Sequence, residues 1–182
     1  MVLVVGDSIS NHYMEALPAA LGKAAASVSG GSDWSATDWS EGRGTGCDST
    51  QALAFLRATL VDASPDILLL NCGLHDIKHW VTDTDLLAEA GVNPEHAGRH
   101  QVEPAQYADN LTAMVELVQQ QHGGKTRLVW VTTTLCDVGS DGTIRTSAAA
   151  HPSYSFSSTP FDRSNATIAE YNRCPGRPCR GI

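Results

Sequence analysis

Three runs of uninterrupted apolar residues, VLVV at 2–5, ILLL at 67–70 and LVWV at 128–131, divide the chain, and stretches of helical periodicity lie between them. A strand covered on one face alternates polar and apolar residues, whereas one covered on both faces does not, so these runs read as buried parallel strands. The helical stretches are 11–23, with Met14, Leu17 and Leu21 on one face; 49–63, with Leu53, Leu56 and Leu60; and 105–122, with Leu111, Met114, Val115 and Val118. Gly123-Gly124 ends the last of them. A weaker strand is expected at 25–29, and Ser64-Pro65-Asp66 turns the chain into the run at 67. The order β, α, β, α, β, α, β predicts an α/β fold with a parallel sheet and helices on both faces. Segments 81–104 and 135–162 have no clear period and read as surface insertions.

Composition removes several function classes. With 182 residues, 42% of them hydrophobic, the chain has the size of one domain with a core. A net charge of -8, from 20 acidic against 12 basic residues, offers no footprint for a phosphate backbone, so no nucleic-acid partner is expected. No apolar stretch approaches the roughly 20 residues that span a bilayer. The first strand begins at Met1 and leaves no room for a signal peptide, so a soluble chain, cytoplasmic by default, is expected. Cys47, Cys72, Cys136, Cys174 and Cys179 are odd in number and lack CxxC spacing, which indicates neither a zinc site nor a closed disulfide set. They are expected to be mostly reduced, with a Cys174–Cys179 pairing left open. Asn110-Leu111-Thr112 and Asn165-Ala166-Thr167 match the glycosylation sequon, a pattern short enough to arise by chance. No motif implies a cofactor or a metal.

Ligands of open α/β sheets collect at the carboxyl ends of the strands. Three loops meet there: 6–10, the stretch after Asn71 and the stretch after Thr132. The first carries Gly6-Asp7-Ser8, which presents a hydroxyl at the start of a helix, where free N–H groups and the positive end of the dipole gather. That hydroxyl can attack a carbonyl, but the same residues also suit a plain helix cap. The run at 67–70 then leads into Asn71-Cys72-Gly73-Leu74-His75-Asp76, which brings a glycine, an imidazole and a carboxylate to the same end of the sheet.

With both motifs at the ends of these strands, the chain resembles the SGNH hydrolases, the GDSL esterase/lipase family. Gly73-Leu74-His75-Asp76 followed by Ile77-Lys78 is similar to a subgroup in which histidine replaces the usual asparagine. The resemblance runs from Met1 to about Asn172, so 1–172 is expected to be the hydrolase-like domain and 173–182 a tail outside it. It implies a flavodoxin-like three-layer α/β/α sandwich with Ser8 as nucleophile. It also implies an oxyanion hole built from the backbone N–H groups of Ser8 and Gly46, with Gly44 as second choice, and from the side chain at 75. A neutral histidine can donate from one ring nitrogen, so His75 suits that role, and a structural histidine is the other reading. Losing one such donor typically lowers turnover by roughly 10²–10³. Gly73 is expected as a supporting residue, and Asp7 and Asp76 are expected to orient loops by accepting backbone N–H bonds. The implied substrates are small-molecule or carbohydrate esters.

The chain departs from the family at its end. The Asp-x-x-His block that supplies the general base is absent, and 173–182 carries two prolines and two glycines where a helix and a final strand are expected. His12, one turn after Ser8, and His151 do not match the family pattern, and His79, His96, His100 and His122 read as surface residues. Without a base, oxyanion and binding contributions leave roughly 10³–10⁴ over water, so the chain is expected to be weak or inactive. A missing last strand leaves a bare sheet edge, which predicts self-association. The alternative reading is a non-catalytic remnant or binding module on the same fold. A nucleotide binder is disfavoured because the first turn lacks GxGxxG and GxxxxGK(S/T). Of the tryptophans, Trp130 reads as sheet core and Trp80 as the mouth of a pocket.

Overall fold

The computed structural model describes residues 1–7, 10, 16–21, 28–30, 48–89, 91–133, 137–138, 144–145, 161–163 and 165–174. The chain forms β1 (Val2–Gly6), α1 (Leu17–Leu21), β2 (Val28–Gly30), α2 (Ser49–Thr59), β3 (Ile67–Asn71), β4 (His79–Trp80) and α3 (Thr84–Glu89). A 3-10 turn (Pro94–His96) precedes α4 (Pro104–His122), β5 (Arg127–Trp130), β6 (Asp137–Val138), β7 (Ile144–Arg145), β8 (Phe161–Asp162) and α5 (Asn165–Arg173).

The three apolar runs become β1, β3 and β5, and the weaker strand becomes β2. All four pair in parallel in the order β2-β1-β3-β5, which makes a mixed α/β protein with a parallel sheet. Val2 lies opposite Val28 and Ile67, Gly6 opposite Asn71, and Leu70 opposite Trp130. Because β1 and β3 are neighbours in register, the two chain segments leaving them start side by side.

Side chains alternate across a strand, so Leu3 and Val5 face one side of the sheet while Val2 and Val4 face the other. Leu3 and Val5 join Leu68 and Leu70 in a core completed by Leu53, Leu56 and Leu60 of the α2 segment and by Tyr107, Leu111, Met114 and Val118 of α4. Those four α4 residues recur at four-, three- and four-residue steps, the stripe that lets a helix bury one face. Each fully buried leucine contributes about 2–3 kcal/mol. Ile168 and Tyr171 bring α5 onto the same core.

The helices begin where the sequence supplies caps. Asp48 accepts from the Gln51 N–H at 3.0 Å and Gln51 Oε1 accepts from the Asp48 N–H at 3.3 Å, a reciprocal capping box that starts α2. Pro104 opens α4 at its first turn, where a missing N–H costs nothing, and Gly123 closes it.

The segment at 81–104 is more than a surface insertion. Its far end runs beside 76–80 with Val102 N–H donating to Asp76 O at 3.2 Å, Gln101 N–H to Lys78 O at 2.7 Å and Trp80 N–H to Arg99 O at 2.9 Å. Trp80 is consequently buried and not at a pocket mouth, and Leu87 and Val102 are buried with it. His79, His96, His100 and His122 are half-buried and not surface residues, and the His79 and His100 rings meet edge-on with centroids 5.0 Å apart. Within 135–162, β6 pairs with β7, and the neighbouring β8 returns antiparallel to β4, with His79 opposite Asp162 and Trp80 opposite Phe161. Strands of two residues carry no readable period, which is why the sequence conceals them.

Candidate functional site

The site is built where β1 and β3 end. Gly6 faces Asn71 so closely that a Cβ at position 6 would lie 2.6 Å from the Asn71 carbonyl oxygen, so only glycine fits there. The next residue, Asp7, is buried and donates its N–H to Asn71 O at 3.0 Å, which extends the β1–β3 ladder by one bond. Its carbonyl then accepts from Ser10 N–H at 3.0 Å and from Ser10 Oγ at 2.6 Å. These two bonds bring Ser10 back onto the Asp7 carbonyl directly after the strand.

After β3, Gly73 takes a φ of +139°, a region that side chains disfavour, and a Cβ there would lie 2.2 Å from Thr133 Oγ1 and 3.1 Å from the Tyr107 hydroxyl. That conformation starts a tight turn in which Ile77 N–H donates to Gly73 O at 3.1 Å and Lys78 N–H to His75 O at 3.3 Å. His75 lies half-buried on this turn and Asp76 is fully buried. Both Asp76 carboxylate oxygens accept from the Ser49 N–H, at 2.9 and 3.1 Å. The first turn of α2 is thus held by two carboxylates, Asp48 on its third N–H and Asp76 on its first, both favoured by the helix dipole. Asn110 reaches in from α4 and donates to Ser49 Oγ at 2.8 Å and Thr50 Oγ1 at 3.1 Å, while Gln101 donates to Asp48 at 3.2 Å.

Burial sets the charge state of this cluster. It pushes the Asp76 carboxyl up to about 7, against the Ser49 hydrogen bonds, which favour the ion, and nearby Asp48 adds to the rise. Lys78, 3% exposed with its ammonium 5.9 Å from the centre of the Trp80 ring, is brought down to about 8, first by burial and then by Arg163. Asp48 and Asp76 attract that ammonium, yet for Lys78 the loss of solvent outweighs the attraction. Arg163, carried in behind β8, donates through Nε to the Leu74 carbonyl at 2.8 Å.

The third loop leaves β5 at Val131, whose N–H donates to Leu70 O at 2.8 Å. Two residues on, Asn172 of α5 hydrogen-bonds both backbone groups of Thr133, accepting from its N–H and donating to its carbonyl, each at 2.9 Å. Beneath it, the Tyr107 hydroxyl donates to Cys72 O at 3.1 Å, and Tyr171 donates to Val102 O. Burial raises both phenols well above the usual range, so they are neutral donors.

Of the residues singled out from the sequence, Asp7, Gly73, His75 and Asp76 are gathered at the carboxyl ends of β1 and β3. Ser8, Gly44 and Gly46 lie outside the described residues, as do His12, His151, Cys47, Cys136 and Cys179. Cys174 is buried, its Sγ 3.7 Å from the Glu170 carbonyl oxygen. Asp76 orients a loop by accepting a backbone N–H, and Asp7 shapes its turn through its own backbone. Ser49, Lys78, Asn110 and Arg163 are not among the site residues expected from the sequence, where Asn110 stands only in a sequon. A lysine directly after the Gly-Leu-His-Asp-Ile run was the one visible hint, whereas nothing in the sequence ties Arg163 to a turn 89 residues earlier. Among the described residues, no group of three or more His, Cys, Asp or Glu side chains is arranged to hold a metal ion, and no helix is long and apolar enough to cross a membrane. Compared with models of known protein families and with curated proteins, the chain has no match.

Proposed function

We propose that this chain is a serine esterase of the SGNH/GDSL type on a flavodoxin-like sandwich spanning 1–172, acting on acetyl or other short acyl esters, carbohydrate-borne ones among them. The observation that supports the reading is the meeting of the Gly6-Asp7 turn with the Gly73–Asp76 turn at the carboxyl end of adjacent parallel strands. In this reading Ser8 Oγ adds to the ester carbonyl carbon, and the resulting oxyanion receives hydrogen bonds from the N–H groups of Ser8 and Gly46 and from the neutral His75 ring. Collapse of the tetrahedral adduct expels the alcohol, which leaves with a proton, and water then releases the acid and restores Ser8. A base must take the Ser8 proton, and the family's terminal Asp-x-x-His block is not found among residues 162–182, the one Asp-x-x-His spacing, Asp76 to His79, lying instead on the turn after β3, so turnover is expected to be slow.

Labelling with a fluorophosphonate tests this reading without requiring full turnover. The wild-type chain is expected to react at Ser8 and S8A to stay unlabelled, with slow p-nitrophenyl acetate hydrolysis in parallel. An unlabelled wild type, or equal labelling of S8A, would overturn the esterase reading in favour of a non-catalytic binding module.

A further inference from the structure

His75 is flanked by two residues that are each held from a different part of the chain. Its predecessor, Leu74, has its carbonyl tied to Arg163 Nε at 2.8 Å. Its successor, Asp76, has its carboxylate tied to the Ser49 N–H at the start of α2. We propose that Arg163 is a positioning residue for His75: together with Asp76 it clamps the 74–76 turn and fixes the direction in which the imidazole can donate. The inference rests on the esterase reading for its functional meaning, because only there is His75 an oxyanion donor.

Arg163 arrives by a defined route. β8 pairs antiparallel with β4, and β4 directly follows the turn, so the two-stranded ribbon returns Arg163 to the residues that precede β4. The guanidinium stands close enough to Lys78 to depress it, and Asp48 and Asp76 draw Lys78 the other way. Asp76 and Asp48 both stand at the α2 N-terminus, Asp76 is fully buried, and Lys78 is a second cation near them. A charge-assisted bond to a carbonyl is about twice as strong as a neutral one, and a fixed guanidinium loses less freedom per bond than an ammonium does. Donor precision matters in an oxyanion hole, where displacing a group by about 1 Å can cost 10²-fold in rate. The titratable and charged groups facing Asp76 and Lys78 are Asp48 of the α2 cap, Arg163 beside β8, Tyr107 of α4 and Tyr171 of α5. Both phenols stay neutral, so the charges beside this turn are those of Asp48, Asp76, Lys78 and Arg163.

The test reads His75 directly. Imidazole proton–nitrogen spectra of ¹⁵N-histidine protein, assigned with H75N, are recorded against pH for the wild type, R163M and R163K, beside fluorophosphonate labelling of Ser8. R163M is expected to move the His75 ring signals and displace their midpoint by half a pH unit or more, while slowing labelling at least tenfold. R163K keeps the charge but puts a methylene where Nε donates, so it is expected to move the same signals by less. Unchanged His75 signals in folded R163M would overturn the proposal. If R163M does not fold, R163K decides, and unchanged signals there would overturn it. Failure of the esterase reading shows up separately, as a wild type that does not label at Ser8 although its His75 signals respond to R163M.

Discussion

Asp76→Asn removes a buried carboxyl that titrates near neutrality, and the structure fixes both the sign and the window of the effect. The folded-state value is raised from 3.8 to about 7, so between those limits the folded protein binds the proton more tightly than the unfolded chain does. Stability therefore falls as pH rises through this window and levels off above it. For one proton, the loss between pH 5 and pH 7 is about 2 kcal/mol, close to the limiting slope of about 1.4 kcal/mol per pH unit over most of that range. In a chain of this length, that is a drop in Tm of roughly 4–8 °C. The amide oxygen introduced by the substitution can still accept from the Ser49 N–H, but the new side chain cannot ionise. Urea unfolding of wild type and D76N at pH 5, 6, 7 and 8 is expected to show the stability of the variant relative to wild type growing by about 2 kcal/mol from pH 5 to pH 7 and levelling off toward pH 8. Every other side chain is common to the two proteins and cancels in the difference. Parallel curves, or a gap that opens in the opposite sense, would refute the claim that desolvation governs Asp76.

Lys78→Met tests the other half of the cluster. Lys78 is lowered from 10.5 to about 8 in the folded state, so wild-type stability is expected to rise from pH 8 to pH 10.5, a rise that K78M abolishes in the same urea assay. Gly73→Ala adds a Cβ against Thr133 Oγ1 at a positive φ and is expected to cost at least about 2 kcal/mol; T133A added to it should recover part of this in a double-mutant cycle. Asn172→Ala leaves the Thr133 N–H and carbonyl without their amide partner, for a loss of about 1–3 kcal/mol by denaturant unfolding. The Asn110 amide is buried and spent on Ser49 and Thr50, so mass spectrometry of folded protein from a glycosylating host is expected to find position 110 unmodified.

The sheet was the most legible part of the sequence because its strands are buried on both faces and written as unbroken apolar runs. Residues 2–5, 67–70 and 128–131 became β1, β3 and β5 to within a residue at each end. The α4 helix was equally plain, since Leu111, Met114 and Val118 recur at helical spacing and Gly123-Gly124 marks its end. At the site, the gathering of Asp7, Gly73, His75 and Asp76 could be read, because strand-end position follows directly from the apolar runs that precede them. The Lys78 environment could not. A lysine reads as solvent-facing until the 98–102 segment and β8 are folded over it, and those contacts follow no period. The same holds for Trp80, whose burial depends on 98–102 running alongside, and for His100, whose ring packs between His79 and Tyr171. Long-range polar contacts made by single side chains leave no trace in spacing.

The amide of Asn172 gives Thr133 what an adjacent β-residue would give it, a donor and an acceptor in one plane. The polypeptide that departs at Thr133 is thereby knotted back to its origin 39 residues later, like a purse closed by a drawstring. Growth or trimming inside such a closed excursion costs little, about 0.6 kcal/mol for each doubling of length. A change of length between Thr133 and β8 is therefore cheap to absorb, while the strands below keep their register.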